Sequence, residues 1–242
     1  MNSFILKVAD IGFLINPYSD ELESFCSNFI GEEYLHEINV TKQDIDYEEQ
    51  AYERYYGYAI NDLIISERFA LLRKVSEILS LKHDTVLLHG SSLIVDDYAY
   101  IFTGVSGVGK TTHGKIWCKL FPDTIMINDD KPFLKKIDDN IVVYSNPWNG
   151  KEGIGNNISA DLGGVFCLKQ ADDNNVVKME NNEKWDYLFR QIYRSDNKET
   201  LEKSVVIVDY LIKNYPICYL YCNKQDEAVY VAYDKIKDWR KT

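Results

Sequence analysis

No stretch of this chain is apolar for the roughly 18 residues that a membrane-crossing helix needs. The amino-terminal MNSFILKVADIG has no basic region ahead of a long apolar one, so a secretory leader is not expected. Cysteine is sparse: Cys26, Cys118, Cys167, Cys218 and Cys222 form no CxxC pair, and no histidine lies near Cys218 and Cys222. That spacing argues against a metal knuckle or a disulfide framework, and it predicts buried, reduced thiols in a cytoplasmic protein. Positive charge is in deficit. Against 38 acidic side chains stand 27 lysines and arginines, a formal net charge of -11. Such a surface excludes broad nucleic-acid binding and docking on anionic lipid, though a small anionic ligand needs only a local cradle. Repeats, low-complexity tracts and a flexible linker are also missing.

What is present is core-forming. In 242 residues, 45% are hydrophobic, enough for a substantial interior. FILKVADIGFLI (4–15) reads as one or two strands. PYSDE reads as a turn, with Ser19 or Asp20 capping a helix through Phe29, and 34–40 reads as a further strand. The acidic, tyrosine-rich stretch 44–57 fits either an irregular segment or an amphipathic strand pair; its tyrosines 47, 52, 55, 56 and 58 suit a contact patch or strand packing. Residues 62–81 carry apolar side chains at helical spacing. The pattern then shifts, which sets a boundary near residue 82 between a small α+β region (1–82) and a larger α/β domain (83–242). In the latter, strands are predicted at TVLLHGSSLIV, YAYIF, 124–127, 132–137, 140–144, 163–170, 217–222 and 228–233. Helices are predicted after the glycine-rich loop, at 181–194 and at 197–214. The Asp-Asp pairs at 96–97, 138–139 and 172–173 read as turns.

The strongest signal is Gly104-Val105-Ser106-Gly107-Val108-Gly109-Lys110-Thr111, a full GxxxxGK[ST] pattern between a strand and a helix. An accidental match somewhere in such a chain has odds of roughly 1%. Glycines let successive backbone N–H groups converge on phosphate oxygens, and the helix start adds its dipole. Lys110 can reach the β and γ phosphates, and Thr111 can offer its hydroxyl to Mg²⁺. Ser106 shapes the loop, and Thr112 belongs to the first helical turn. His113, one turn in, suits a structural role better than ligand contact.

Asp129 and Asp130 follow a short strand soon after the loop. Carboxylates at strand ends face the ligand crevice of α/β sheets, where one can hold Mg²⁺ and the other accept a proton. A solvated strand-end turn is the plainer reading. His89 ends the strand TVLLH, where it can orient a carboxylate, bind phosphate or metal, or be structural. The loop NPWNGKEGIGNN (146–157) offers Lys151 as a candidate for neutralising a transferred phosphoryl group, or as a surface lysine. Glu152 has a weaker claim, and Trp148 suits an anchor.

The runs LLHGSSLIVDDYAYIFTGVSGVGKTT and INDDKPFL resemble the superfamily of HPr kinase/phosphorylase and ATP-dependent phosphoenolpyruvate carboxykinase. SNPWNGKEGIGNNISADLGGVFCLKQ is similar to HPr-kinase-related proteins. The likeness covers roughly residues 85–170. It implies a P-loop core of the HPr kinase C-terminal-domain/carboxykinase type that uses ATP and Mg²⁺, with Mn²⁺ as a substitute. It implies phosphates and Mg²⁺ held from Gly104 to Thr111, and His89 near the metal and the acidic pair. It makes Asp129 the general base and Asp130 the metal ligand, roles the pair can exchange or share; it also leaves room for a homo-oligomer. Two departures stand out. The segment by which HPr kinases bind their protein substrate is not evident. Nor is there any arginine between residues 74 and 189, so a carboxykinase-style carboxylate clamp is not evident either. The expected activity is a kinase acting on a hydroxyl of a small metabolite or of a peptide or protein serine or threonine. An NTP hydrolase or carboxykinase-like enzyme, and a noncatalytic nucleotide-sensing module, are the alternatives.

Overall fold

The computed structural model describes residues 2–60, 62–150, 153 and 155–241. The chain is a mixed α/β protein that divides into two compact units, 1–79 and 80–242.

The first unit holds β1 (Phe4–Val8), β2 (Ile11–Asn16), α1 (Glu21–Phe25), a 3₁₀ turn (Ser27–Phe29), β3 (His36–Asn39) and α2 (Lys42–Tyr56). It also holds most of α3 (Leu63–Lys82), in which the division falls. Its sheet has the order β1-β2-β3. The Ala9-Asp10 turn takes positive φ at both residues, 50° and 62°, as a two-residue hairpin requires. Phe4, Leu6, Val8, Phe13 and Ile15 are buried at every second position, the period of a half-buried strand. Glu67 of α3 is buried and accepts hydrogen bonds from the backbone N–H groups of Tyr18 and Ser19 at 2.7 and 3.1 Å.

The stretch 44–57 is neither irregular nor a strand pair. It belongs to α2, which opens on a capping box between Thr41 and Asp44 and closes on Gly57 in the left-handed region. Its apolar stripe is missing because the helix docks by charge: of its residues only Ile45 is buried. Asp44 and Glu48 meet Arg73 at 3.2 and 2.6 Å, and Lys74 meets Asp44 at 2.8 Å. The tyrosines form a partly exposed cluster at its end, with the Tyr52 ring 4.4 Å from Tyr56 and 5.5 Å from Tyr58.

The second unit is built on a nine-stranded sheet. Its strands are β4 (Thr85–Leu87), β5 (Gly90–Val95), β6 (Tyr98–Thr103), β7 (Ile125–Asn128), β8 (Phe133–Ile137), β9 (Asn140–Tyr144), β10 (Ser159–Gln170), β11 (Asn175–Lys178) and β12 (Ile217–Cys222). The main path runs β4-β8-β9-β10-β6-β5-β7, and β12 and β11 continue from β10 on a branch. The long β10 makes that branch possible. It starts antiparallel to β9, then runs parallel to β6 and to β12.

Alternate residues of the sheet serve two cores. Ile101, Val165 and Cys167 pack with Leu188 of α5 (Asn181–Phe189) and with Ile207, Val208 and Leu211 of α6 (Lys198–Asn214). Tyr100, Phe102, Phe166 and Leu168 pack with Trp117 of α4 (Lys110–Leu120) and with Ala228, Val229, Ala232 and Ile236 of α7 (Glu227–Trp239). Each large side chain so buried contributes about 1.5–3 kcal/mol.

Residues 228–233, expected as a strand, lie in α7. Their β-branched and aromatic residues suggest a strand by propensity, but positions 228, 229, 232 and 236 are the buried ones, which is helical periodicity. The helix expected at 181–194 stops at Phe189, and Ile192 forms an antiparallel bridge to Leu88. The run 85–95 breaks at Leu88-His89 into two strands with different partners. Four cysteines are buried as expected, but Cys118 is exposed. Among the described residues, no helix is long and apolar enough to cross a membrane.

The end of α7 closes on β10 at a glycine. A Cβ on Gly164 would lie 2.5 Å from Cζ3 of Trp239 and 3.1 Å from the Pro216 carbonyl oxygen. Gly164→Ala should therefore destabilise the protein by about 1–3 kcal/mol in urea unfolding; an unchanged midpoint would show that the ring is not held there.

Candidate functional site

The direction of β5 gathers the site. It is antiparallel to β6 with Gly90 opposite Thr103, and antiparallel to β7 with Ser92 opposite Asn128. The start of β5 therefore lies beside the ends of its two neighbours. His89, the loop from Gly104 and the Asp129-Asp130 turn emerge at one edge. Two hydrogen bonds join these segments, Thr103 Oγ1 to the His89 carbonyl at 2.6 Å and the Gly90 N–H to the Asp130 carbonyl at 2.8 Å, and the His89 N–H donates to the Gln191 carbonyl at 2.7 Å.

Between β6 and α4 the loop turns through Gly107 and Gly109 at φ 80° and 110°, conformations that a side chain would strain. Gly109 caps α4, and its carbonyl accepts the first helical hydrogen bond, from the His113 N–H at 2.9 Å. Lys110 is buried, and its Nζ donates to the carbonyls of Gly104 and Val105 at 3.0 and 3.3 Å. Gln170, at the end of β10, donates from Nε2 to the carbonyls of Gly107 and Val108, both at 3.3 Å. Lys110 and Gln170 thus engage loop carbonyls, and the Val108 N–H donates to the Val105 carbonyl at 3.2 Å. A glycine-rich loop that leads into a helix start is the kind of backbone that can hold an anion. Thr111 and Thr112 stand in the first turn of α4, with Thr112 exposed.

The acidic turn hangs on a buried asparagine. Asn128 Oδ1 accepts from the N–H groups of Asp130 and Lys131 at 2.9 and 2.7 Å. Its Nδ2 reaches the Asn146 carbonyl at 3.3 Å, and Asn146 Nδ2 donates to the Lys131 carbonyl at 2.5 Å. The two aspartates point to different partners. Asp130 lies 3.5 Å from His89 Nε2 and pairs with Lys131. Asp129 is buried, and its Oδ1 accepts from the Gly150 N–H at 2.5 Å. A Cβ on Gly150 would come within 3.0 Å of Asp129 Oδ2, so the 146–150 segment approaches that carboxylate closely only because position 150 is bare. Burial and then the charge of Lys110 hold the His89 imidazole below its ordinary range, against the pull of Asp130. Burial likewise lowers the Lys110 ammonium, with Asp130 opposing and Lys131 assisting. Three cationic or potentially cationic groups thus share one neighbourhood with Asp130, an arrangement that an added anion would relieve.

His113 is buried in α4, and its Nε2 accepts from Trp117 Nε1 at 3.0 Å. Burial drives its pKa down to about 3, so it is neutral and carries its hydrogen on Nδ1. Trp148 is buried, as an anchor requires. Lys151 and Glu152 lie outside the described residues. Sequence reading missed Asn128, Asn146, Gln170, Gln191 and Lys131. Asn128 and Lys131 directly flank the acidic pair and were open to notice. The others are joined to the site only by pairing between distant segments.

Among the described residues no group of three or more His, Cys, Asp or Glu side chains could by itself hold a metal ion. Magnesium seldom needs one, since it takes one or two carboxylates and completes its shell with phosphate oxygens and water. Thr111, Asp129 and Asp130 are the oxygen donors that the sequence reading offers for such a role.

No family model and no curated protein matches the chain. Among solved structures, it is similar to the Hpr(Ser) kinase/phosphatase from Coxiella burnetii, at 11% identity and a TM-score of 0.37, over 64% of this chain and 94% of that one. The likeness is distant.

The electrostatics can be checked by following the His89 imidazole by NMR in the ligand-free protein. It should titrate below its ordinary 6.5. Lys110→Met should raise the midpoint and Asp130→Asn should lower it; no response to either would separate His89 from the loop.

Proposed function

We propose that the protein is an ATP- and Mg²⁺-dependent phosphotransferase acting on a hydroxyl of a small metabolite or of a peptide or protein serine or threonine. The observation that carries this reading is the meeting of His89, the Gly104–Thr111 loop and the Asp129-Asp130 turn at one sheet edge.

In this reading the loop N–H groups and the start of α4 bind the polyphosphate. Lys110 leaves the loop's own carbonyls for phosphate oxygens, which regain for it the charge partner that burial denies. Thr111 and Asp130 would hold Mg²⁺, with Asp129 near enough in sequence to share the task. Held there, Mg²⁺ would supply positive charge against the negative charge that develops on the phosphate oxygens. His89 orients Asp130. Asp129 accepts the proton of the acceptor hydroxyl as that oxygen attacks the terminal phosphorus, while the bond to the leaving ADP oxygen breaks. Its position against the Gly150 N–H fixes the carboxylate and leaves the 146–150 segment as a wall of the acceptor side. Lys151, one residue on, is proposed to meet the transferred phosphoryl group.

ADP formation is to be measured with ATP and Mg²⁺, with and without fractionated extract of the native cell. An acceptor-dependent signal is expected, abolished in Lys110→Ala. In Asp129→Asn it should fall by about 10²–10⁴-fold with ATP binding retained. Full activity in Asp129→Asn would remove the base assignment. Steady acceptor-free phosphate release would indicate a hydrolase instead, and tight ATP binding without turnover a sensing module.

A further inference from the structure

The tyrosines at the end of α2 do not pack in a strand; they form an aromatic surface. Tyr55, Tyr56 and Tyr58 are 80%, 55% and 60% exposed. They pack chiefly on one another and on Tyr52. The Tyr56 ring lies 4.4 Å from Tyr52, 4.7 Å from Tyr55 and 6.1 Å from Tyr58, and the Tyr52 and Tyr58 hydroxyls are 3.1 Å apart. Gly57, at φ 78°, closes the helix between them. A single exposed ring is ordinary, but a contiguous apolar patch marks an interaction surface. Aromatic residues, with arginine, are also what the centres of protein interfaces are enriched in.

The covered half of the same helix shows which chemistry this face accepts. Asp44, Glu48, Tyr52 and Tyr55 recur at the spacing of one helix side. The beginning of that side is met by basic residues of α3. Arg73 pairs with Asp44 and Glu48 at 3.2 and 2.6 Å, and its guanidinium carbon stands 4.8 Å from the centre of the Tyr47 ring. One arginine thus binds two carboxylates and a tyrosine face. The same groups continue past its reach, because Glu49 and Glu53 accompany the exposed rings. The one basic residue between 46 and 58 is Arg54, and its Nε donates back to the Gln50 carbonyl at 3.3 Å.

We infer that the patch of Tyr52, Tyr55, Tyr56 and Tyr58 is a docking surface for an arginine-bearing segment of another protein. Its guanidinium groups lie on the ring faces, as Arg73 lies on Tyr47, and meet Glu49 and Glu53, as Arg73 meets Asp44 and Glu48. Arginine suits this surface better than lysine, because its planar, weakly hydrated cation stacks on rings and forks onto a carboxylate. A second copy of the chain is disfavoured, since it would set the carboxylates of two α2 helices against each other. The inference lies wholly within the first unit and does not depend on the phosphotransferase reading.

The test is fluorescence anisotropy of the full chain with labelled peptides in which glycine alternates with arginine, lysine, glutamate or proline. The arginine peptide should bind saturably below about 1 mM at low salt and be released as salt rises. The lysine peptide should bind at least about threefold more weakly, and the other two not at all. Tyr55→Gln combined with Tyr56→Gln should weaken the arginine peptide about tenfold. Tyr55→Phe with Tyr56→Phe keeps the ring faces and should stay within about twofold. Unchanged binding in the glutamine pair would assign the attraction to diffuse acidity and overturn the inference. So would failure of the wild type to bind the arginine peptide, equal or tighter binding of the lysine or proline peptide, or a dimer of the free chain that the glutamine pair abolishes. If the glutamine pair does not fold, tyrosine ring-proton shifts in the wild type decide: shifts at this cluster on adding the arginine peptide support the surface, and their absence overturns it.

Discussion

The antiparallel seating of β5 between β6 and β7 is the constraint on which the site depends. Gly90 faces Thr103 and Ser92 faces Asn128, so one strand's beginning is aligned with two strands' ends. A slip by one residue would turn every side chain of β5 to the other face. It would also part Gly90 from Asp130, whose backbone hydrogen bond ties the acidic turn to His89. The register is held by burial on both faces, with Leu93 in one core and Ile94 packed against the other.

Charge arrangement follows from that geometry. Lys110 and His89 are both buried enough to lose hydration, and both sit in the field of Asp130 and Lys131. Among the described residues the hydrogen bonds of Lys110 go to loop carbonyls, and an ammonium gains far more from an anion than from peptide oxygens. The loop meanwhile is kept open by Gln170 from the neighbouring strand. The setting of the loop thus depends on a neighbouring strand and not on the glycine-rich motif alone.

The sequence was most legible where chemistry is local. The glycine-rich loop, the Asp turns at 96–97 and 138–139, and the helix at 62–81 can each be read from neighbouring residues. The structure puts Asp96, Asp97 and Asp138 at positive φ. Reading failed where a tertiary partner decides. In α2 it is the basic residues of α3 that give an acidic segment its docking face. In α7 a strand-like composition is overruled by the burial of 228, 229, 232 and 236, because propensity is a weak prior beside packing.

The same division holds for function. By itself the sequence determined a glycine-rich loop with a lysine, a threonine and an acidic pair downstream, because backbone flexibility at glycine and the identity of charged groups are written residue by residue. Only the tertiary structure decided that of the acidic pair it is Asp130 that lies beside His89, and that Asp129 turns to Gly150. Those relations join residues tens of positions apart through strand pairing, and register and packing, which set them, are properties of the folded whole.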